Sequence, residues 1–154
     1  MVRYFFLFPS LLLSYCLAAQ VYIKNGFFEG EPQDATVPAG WHICAPGSTP
    51  DILPGPWGVF LEPSEGETYI GMITREDGSY ESIGQRLSEP LKPGQCYELK
   101  VDLAYSRIYA GYKGHLRLRV WGGLSRCRQE VLLFESPEID HRDWRTYTAR
   151  FTAD

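Results

Sequence analysis

Turn-forming clusters break this chain at short intervals: Asn25-Gly26, Pro38-Ala39-Gly40, Ala45-Pro46-Gly47, Pro54-Gly55-Pro56, Asp77-Gly78, Lys92-Pro93-Gly94 and Gly122-Gly123. Glycine enters left-handed backbone without steric cost and proline fixes its own φ, so each cluster interrupts regular structure. The segments between them are short and rich in aromatic and β-branched residues, and none carries a helical period beyond two turns. Such a chain is predicted to be all-β, a sandwich or barrel of antiparallel strands.

Alternation places the strands. In 115–121, Leu116, Leu118 and Val120 are aliphatic, while His115, Arg117, Arg119 and Trp121 are polar or amphipathic. In 96–105, Tyr97, Leu99, Val101, Leu103 and Tyr105 share one side, and Glu98, Lys100 and Asp102 the other. Tyr147, Ala149 and Phe151 repeat the pattern in 144–151. A period of two with one apolar face is the mark of a half-buried strand. Val131-Leu132-Leu133-Phe134 is apolar throughout, which predicts a strand covered on both faces. Shorter strands are expected over 40–44, 68–73 and 81–87. The proline-rich stretch 45–67 lacks alternation and reads as a surface excursion at one end of the sandwich. Trp41 and Trp144 are assigned to the core.

Residues 1–19 stand apart from this pattern. Arg3 is the one charge there, an apolar run follows, and Ala18-Ala19 supplies small residues at its end. This is the layout of a secretory signal peptide. The run is shorter than the roughly 20 residues that span a bilayer. Residues 20–154 then form one domain of ordinary size. Removing Arg3 from 15 basic residues leaves 14 against 19 acidic ones. That acidic balance lacks the basic footprint of a nucleic-acid binder.

Cys16 leaves with the signal, so Cys44, Cys96 and Cys127 remain. In an exported protein the simplest arithmetic is one disulfide and one further cysteine. Spacing alone leaves the pairing open. Cys96 begins an alternating strand, opposite in parity to its core-facing tyrosine, whereas Cys44 and Cys127 lie at loop–strand junctions. The expected bridge is therefore Cys44–Cys127, with Cys96 outside it and buried.

Several ordered motifs carry a resemblance. Asn25-Gly26-Phe27-Phe28-Glu29, Pro38-Ala39-Gly40-Trp41 and Gly66-Glu67-Thr68-Tyr69-Ile70-Gly71-Met72 occur in sequence, followed by 81–87 and Leu91-Lys92-Pro93-Gly94-Gln95-Cys96-Tyr97. They resemble the early strands of galactose-binding-like, carbohydrate-binding-module jelly rolls. The order of Cys44, Thr49-Pro50-Asp51, Trp121-Gly122-Gly123, Cys127 and His141-Arg142-Asp143-Trp144 is similar to a domain of exported Bacteroidota surface proteins, often beside OmpA-like or sorting domains. The resemblance spans 20–154 and implies a jelly-roll β-sandwich. Members continue past the strand matching 144–151, so the expectation is a domain missing its last strands. It also implies a structural calcium ion near the first strand, with Glu29 as the matching residue; hard cations take several oxygen ligands, and the alternative for Glu29 is a solvated carboxylate at a strand end.

Catalytic signatures are thin: there is no GxSxG, HExxH or phosphate-cradling glycine loop. His141-Arg142-Asp143 matches a kinase triplet without the other kinase elements. The functional expectation is a non-catalytic glycan-binding or adhesion module, secreted or held at the cell surface in association with an outer membrane. Its partners would be a glycan and other domains of a longer protein. The alternatives are an accessory structural sandwich with no small ligand and a fragment of a glycoside-active enzyme. Sugar binding needs aromatic rings and a few orienting polar groups. Trp57, Tyr109 and Tyr112 supply the rings from loops, and Arg117 and Arg119 the polar groups from a strand. A competing reading pairs these arginines with Glu98 and Asp102 on a neighbouring strand.

Overall fold

The computed structural model describes residues 21–109 and 116–154. The expected signal peptide over 1–19, Cys16, Tyr112 and His115 lie outside them. The fold is all-β. Its strands are β1 (His42–Ile43), β2 (Asp51–Leu53), β3 (Tyr69–Gly71), β4 (Ile83–Gly84), β5 (Cys96–Leu103), β6 (Arg119–Gly122), β7 (Val131–Glu135) and β8 (Arg145–Thr152). Among the described residues they pair as four antiparallel ladders: β1 with β4, β2 with β3, β5 with β8, and β6 with β7. No helix among these residues is long and apolar enough to cross a membrane.

β5 and β8 form the longest ladder, running in register from Cys96 opposite Thr152 to Leu103 opposite Arg145. Directly opposed residues share a face. Tyr97, Leu99 and Val101 therefore meet Phe151, Ala149 and Tyr147 on the covered side, where Tyr97 and Phe151 stack at 5.9 Å. On the outer side Arg150 Nε donates to Glu98 Oε2 at 2.8 Å, and Thr146 Oγ1 to Asp102 Oδ1 at 2.5 Å. The alternation of both strands is thus the alternation of their burial. Cys96 is half-buried rather than buried, with its Sγ 3.6 Å from Thr152 Oγ1 across the ladder.

Two expectations are corrected. The stretch 45–67 is not a surface excursion throughout, because it contains β2, whose three residues are all buried. Leu53 is 2 % exposed and packs with Val59 and Tyr109, with Tyr69 and Ile73 against them. β2 lies between β3 and the bridge from Gln33 to Ile52, so it has neighbours on both edges and no wet face to alternate with. Conversely, β7 is not covered on both faces. Val131 and Leu132 are exposed, and Leu133 and Phe134 are half-buried. A register shift between Val120 and Trp121 interrupts the β6–β7 pairing, and β6 starts at Arg119, later than the alternation suggests. Leu116 instead makes an isolated bridge to Ile139.

The tryptophans assigned to the core are half-buried and anchored through their ring nitrogens. Trp41 donates to the Asn25 carbonyl at 2.9 Å and lies 4.8 Å from Phe28. Trp144 donates to the Glu62 carbonyl at 2.7 Å and meets Tyr69 edge-on at 5.1 Å.

Candidate functional site

Buried Leu53 and Val59 hold down both ends of a tight turn whose apex is the short 3-10 helix Pro56–Gly58. Gly55 N–H donates to the Val59 carbonyl at 2.7 Å, and Val59 N–H to the Pro56 carbonyl at 3.1 Å. The closed turn forces Trp57 to φ 57°, left-handed backbone that is costly for a bulky side chain. Its indole is 58 % exposed, and Phe60 and Leu61, within the next four residues, are exposed as well. A large apolar ring thus stands in solvent on strained backbone fixed from beneath. Trp57 thus lies outside the buried cluster of Leu53, Val59 and Tyr109.

Tyr109 does not sit beside it as an exposed ring. It is 9 % exposed and belongs to the buried cluster with Leu53 and Val59. Its hydroxyl donates a short hydrogen bond to Asp51 Oδ2, and Asp51 Oδ1 accepts the Ala35 N–H at 2.7 Å. Gly71 lies opposite Asp51 in the ladder, and a Cβ there would come 2.6 Å from the tyrosine hydroxyl. The missing side chain is what lets the ring in. Burial, then the bond to Asp51, push the Tyr109 phenol far above its usual pKa. Burial also raises the neighbouring Tyr69 phenol to about 12. The expected loop position of Tyr109 is therefore corrected to a core position, because its polar tip has a buried carboxylate to reach. Tyr109→Phe keeps the ring but strands that carboxylate oxygen, so a loss of about 1–2 kcal/mol is expected in chemical denaturation. An unchanged midpoint would return the ring to the surface.

Arg117 and Arg119 are exposed and converge on one carboxylate. Arg119 Nε bonds Glu135 Oε2, and Arg117 Nη1 lies 3.7 Å from Oε1. The Arg119 hydrogen bond and charge hold Glu135 below the usual carboxylate range, with Arg117 adding to it. The arginines thus pair across their own hairpin with β7, and not with Glu98 or Asp102. Glu98 is taken by Arg150 and Lys100, and Asp102 by Ser64 and Thr146.

Glu29, the expected calcium ligand, faces donors. Its Oε1 accepts the Glu67 N–H at 3.0 Å, and Thr68 Oγ1 lies 3.3 Å from Oε2. Gly66 sits so close that a Cβ would fall 1.8 Å from Oε1. Within the described residues the grouping with metal-ligand spacing is His42, Cys44 and Cys127, a nitrogen–sulfur set foreign to calcium.

The bridge is Cys44–Cys127, with Cα atoms 5.2 Å apart across 83 positions. His42 in β1 and Cys44 just after it are two residues apart, the spacing that puts side chains of extended chain on one face. Its Nε2 is buried without a hydrogen-bond partner, and burial, then the Arg126 charge, lower its pKa. Beside the bridge lies an open groove of about 530 Å³ lined by Tyr80, Ser82 and Gln129 together with the two cysteines. His141 is different. It is buried, with Nδ1 2.7 Å from the Asp143 carbonyl and Nε2 2.8 Å from the Tyr147 hydroxyl.

Sequence reasoning missed Glu81, buried between β3 and β4. Its carboxylate takes N–H groups from Thr49 and Ile73, the Thr49 hydroxyl and the Arg75 guanidinium. Nothing in the local pattern of 81–87 marks it. Compared with protein families, characterised proteins and solved structures, the chain has no match.

Proposed function

We propose that this chain is a non-catalytic glycan-binding or adhesion module of an exported cell-surface protein, with the jelly-roll sandwich as its architecture. Trp57 carries the reading. An exposed indole carried on a hydrogen-bonded turn offers a flat apolar face for the C–H side of a sugar ring. Arg117 and Arg119, already gathered at Glu135, would orient an anionic or hydroxyl-rich substituent, and Tyr112 would add a second ring. The disulfide fits export into an oxidising compartment. The buried carboxylates Asp51 and Glu81 are spent on protein donors, which favours binding over glycoside chemistry.

A glycan array followed by calorimetry on the best hit tests this. Trp57→Ala should weaken binding roughly tenfold, the worth of about 1.4 kcal/mol of lost ring contact. Its melting temperature should stay within about 2 °C of the parent, because the ring is solvent-exposed. Equal affinity in the variant would move the site elsewhere. A chain that binds no glycan favours the accessory-domain reading. That reading draws on the β6–β7 hairpin, which exposes Trp121, Leu124, Val131 and Leu132.

A further inference from the structure

The environment of the disulfide suits more than a staple. An ideal Cβ built on Gly84 would lie 2.9 Å from Cys44 Sγ and 3.4 Å from His42 Nε2. Both ligand atoms therefore converge over the glycine that pairs with His42 in the β1–β4 ladder. Cys127 Sγ joins them, and all three atoms lie within 4.8 Å of one another. In a tetrahedral zinc site, bonds of about 2.3 Å to sulfur and 2.0–2.1 Å to nitrogen place ligand atoms about 3.5–3.8 Å apart. Small side-chain rotations would close the remaining gap once the sulfurs are no longer bonded. His42 Nε2 has no protein partner to give up, and such an orphaned buried nitrogen calls for an explanation. Cys44 and Cys127 also line the open groove, which leaves a route and a fourth coordination position for solvent or a small ligand.

We propose that reduction of Cys44–Cys127 uncovers a Cys2His site for a soft divalent ion, zinc, with His42 Nε2 as the third protein ligand and the fourth position open to the groove. The opening step consumes a two-electron reductant, which in vitro is a water-soluble phosphine. Phosphorus takes the oxygen of one water and becomes the phosphine oxide, the sulfur–sulfur bond breaks, and the two protons of that water end on the sulfurs. Zinc then displaces both thiol protons to solvent and binds the two thiolates and the neutral imidazole. While the disulfide persists, both sulfurs are occupied and the site is closed. Thiolate and imidazole donors together select zinc over calcium or magnesium.

The test uses the full chain in a Cys16→Ser/Cys96→Ser background, so that the two bridging cysteines are the only thiols. Cobalt(II) is titrated into the oxidised and the phosphine-reduced protein and followed by absorption, and zinc is then added to displace it. The reduced chain should bind one cobalt per chain, with thiolate-to-cobalt charge transfer and intense visible bands of four-coordinate geometry, and zinc should abolish both. The oxidised chain should show neither. In the reduced state His42→Gln should bind more than about tenfold more weakly, since even outer-shell losses cost that much. Thermal unfolding supplies a second readout if the reduced chain folds poorly. Zinc should then restore or raise the transition in the reduced parent and not in a Cys44→Ser/Cys127→Ser variant. The proposal is overturned by any of three results: equal cobalt binding in the oxidised chain, an unchanged affinity and spectrum in His42→Gln, or a reduced chain that neither binds cobalt nor is stabilised by saturating zinc.

Discussion

Glu81→Ala is expected to lower the unfolding free energy by about 3–5 kcal/mol, read as a shift of the urea midpoint at unchanged slope. The Glu81 side chain is fully buried, and its two oxygens serve four donors from three places in the chain. Thr49 belongs to the approach to β2, Ile73 follows β3, and Arg75 opens the turn that leads back through Tyr80 to Glu81 itself. Alanine takes the acceptor from the part-buried backbone N–H groups of Thr49 and Ile73, and leaves Arg75 with the Gly47 carbonyl. Each stranded donor costs about 1–3 kcal/mol, so the sum is a large part of the 5–15 kcal/mol that holds an ordinary domain together. Glu81→Gln separates charge from shape. Its amide fills the same volume but turns one acceptor into a donor, so an intermediate loss is expected. A midpoint for Glu81→Ala within about 0.5 kcal/mol of the parent would mean that water replaces the carboxylate, and that the cluster is not closed.

The second large effect is expected at the bridge. Cys44→Ser/Cys127→Ser removes a cross-link that closes a loop of 83 positions. In the chain-entropy account such a loop is worth about 4–5 kcal/mol, because the unlinked unfolded chain gains that much freedom. The structure adds a local reason. β1 and β4 share only two paired positions, so this small ladder has little else to tie it to the segment around Cys127. Melting temperature and proteolytic resistance should therefore fall together, with cleavage appearing first near β1 or near Cys127. If the double variant melts like the parent, the bridge does not stabilise the fold, and a role in switching or ligand binding becomes its main physical justification.

The strands that could be read directly from the chain are those with one wet face. In β5 and β8 the alternation of Tyr97, Leu99 and Val101 with Glu98, Lys100 and Asp102, and of Tyr147, Ala149 and Phe151 with Arg150 and its neighbours, is produced by a sheet with solvent on one side. Residue chemistry must follow that asymmetry, so the sequence carries it openly. The turn clusters are legible for the same kind of reason, since glycine and proline act on their own backbone. The exposed position of Trp57 and the choice of Cys44 with Cys127 also followed from local placement.

What stayed hidden depends on partners far along the chain. β2 is enclosed on every side, so it has no polar face to report and its short run sits among prolines like a loop. Tyr109 has the look of a loop tyrosine until Asp51, 58 residues away, supplies a buried acceptor, and until Gly71 leaves room for the ring. Arg117 and Arg119 carry the same charge whichever acid they meet; the β6–β7 register, not composition, hands them Glu135. His42 and Cys44 share a face by the period of two. Only the return of the chain 83 positions later brings Cys127 to them and makes three separate side chains one cluster. Local patterns encode which side of a strand is dry, while the identity of a distant neighbour is a property of the folded chain alone.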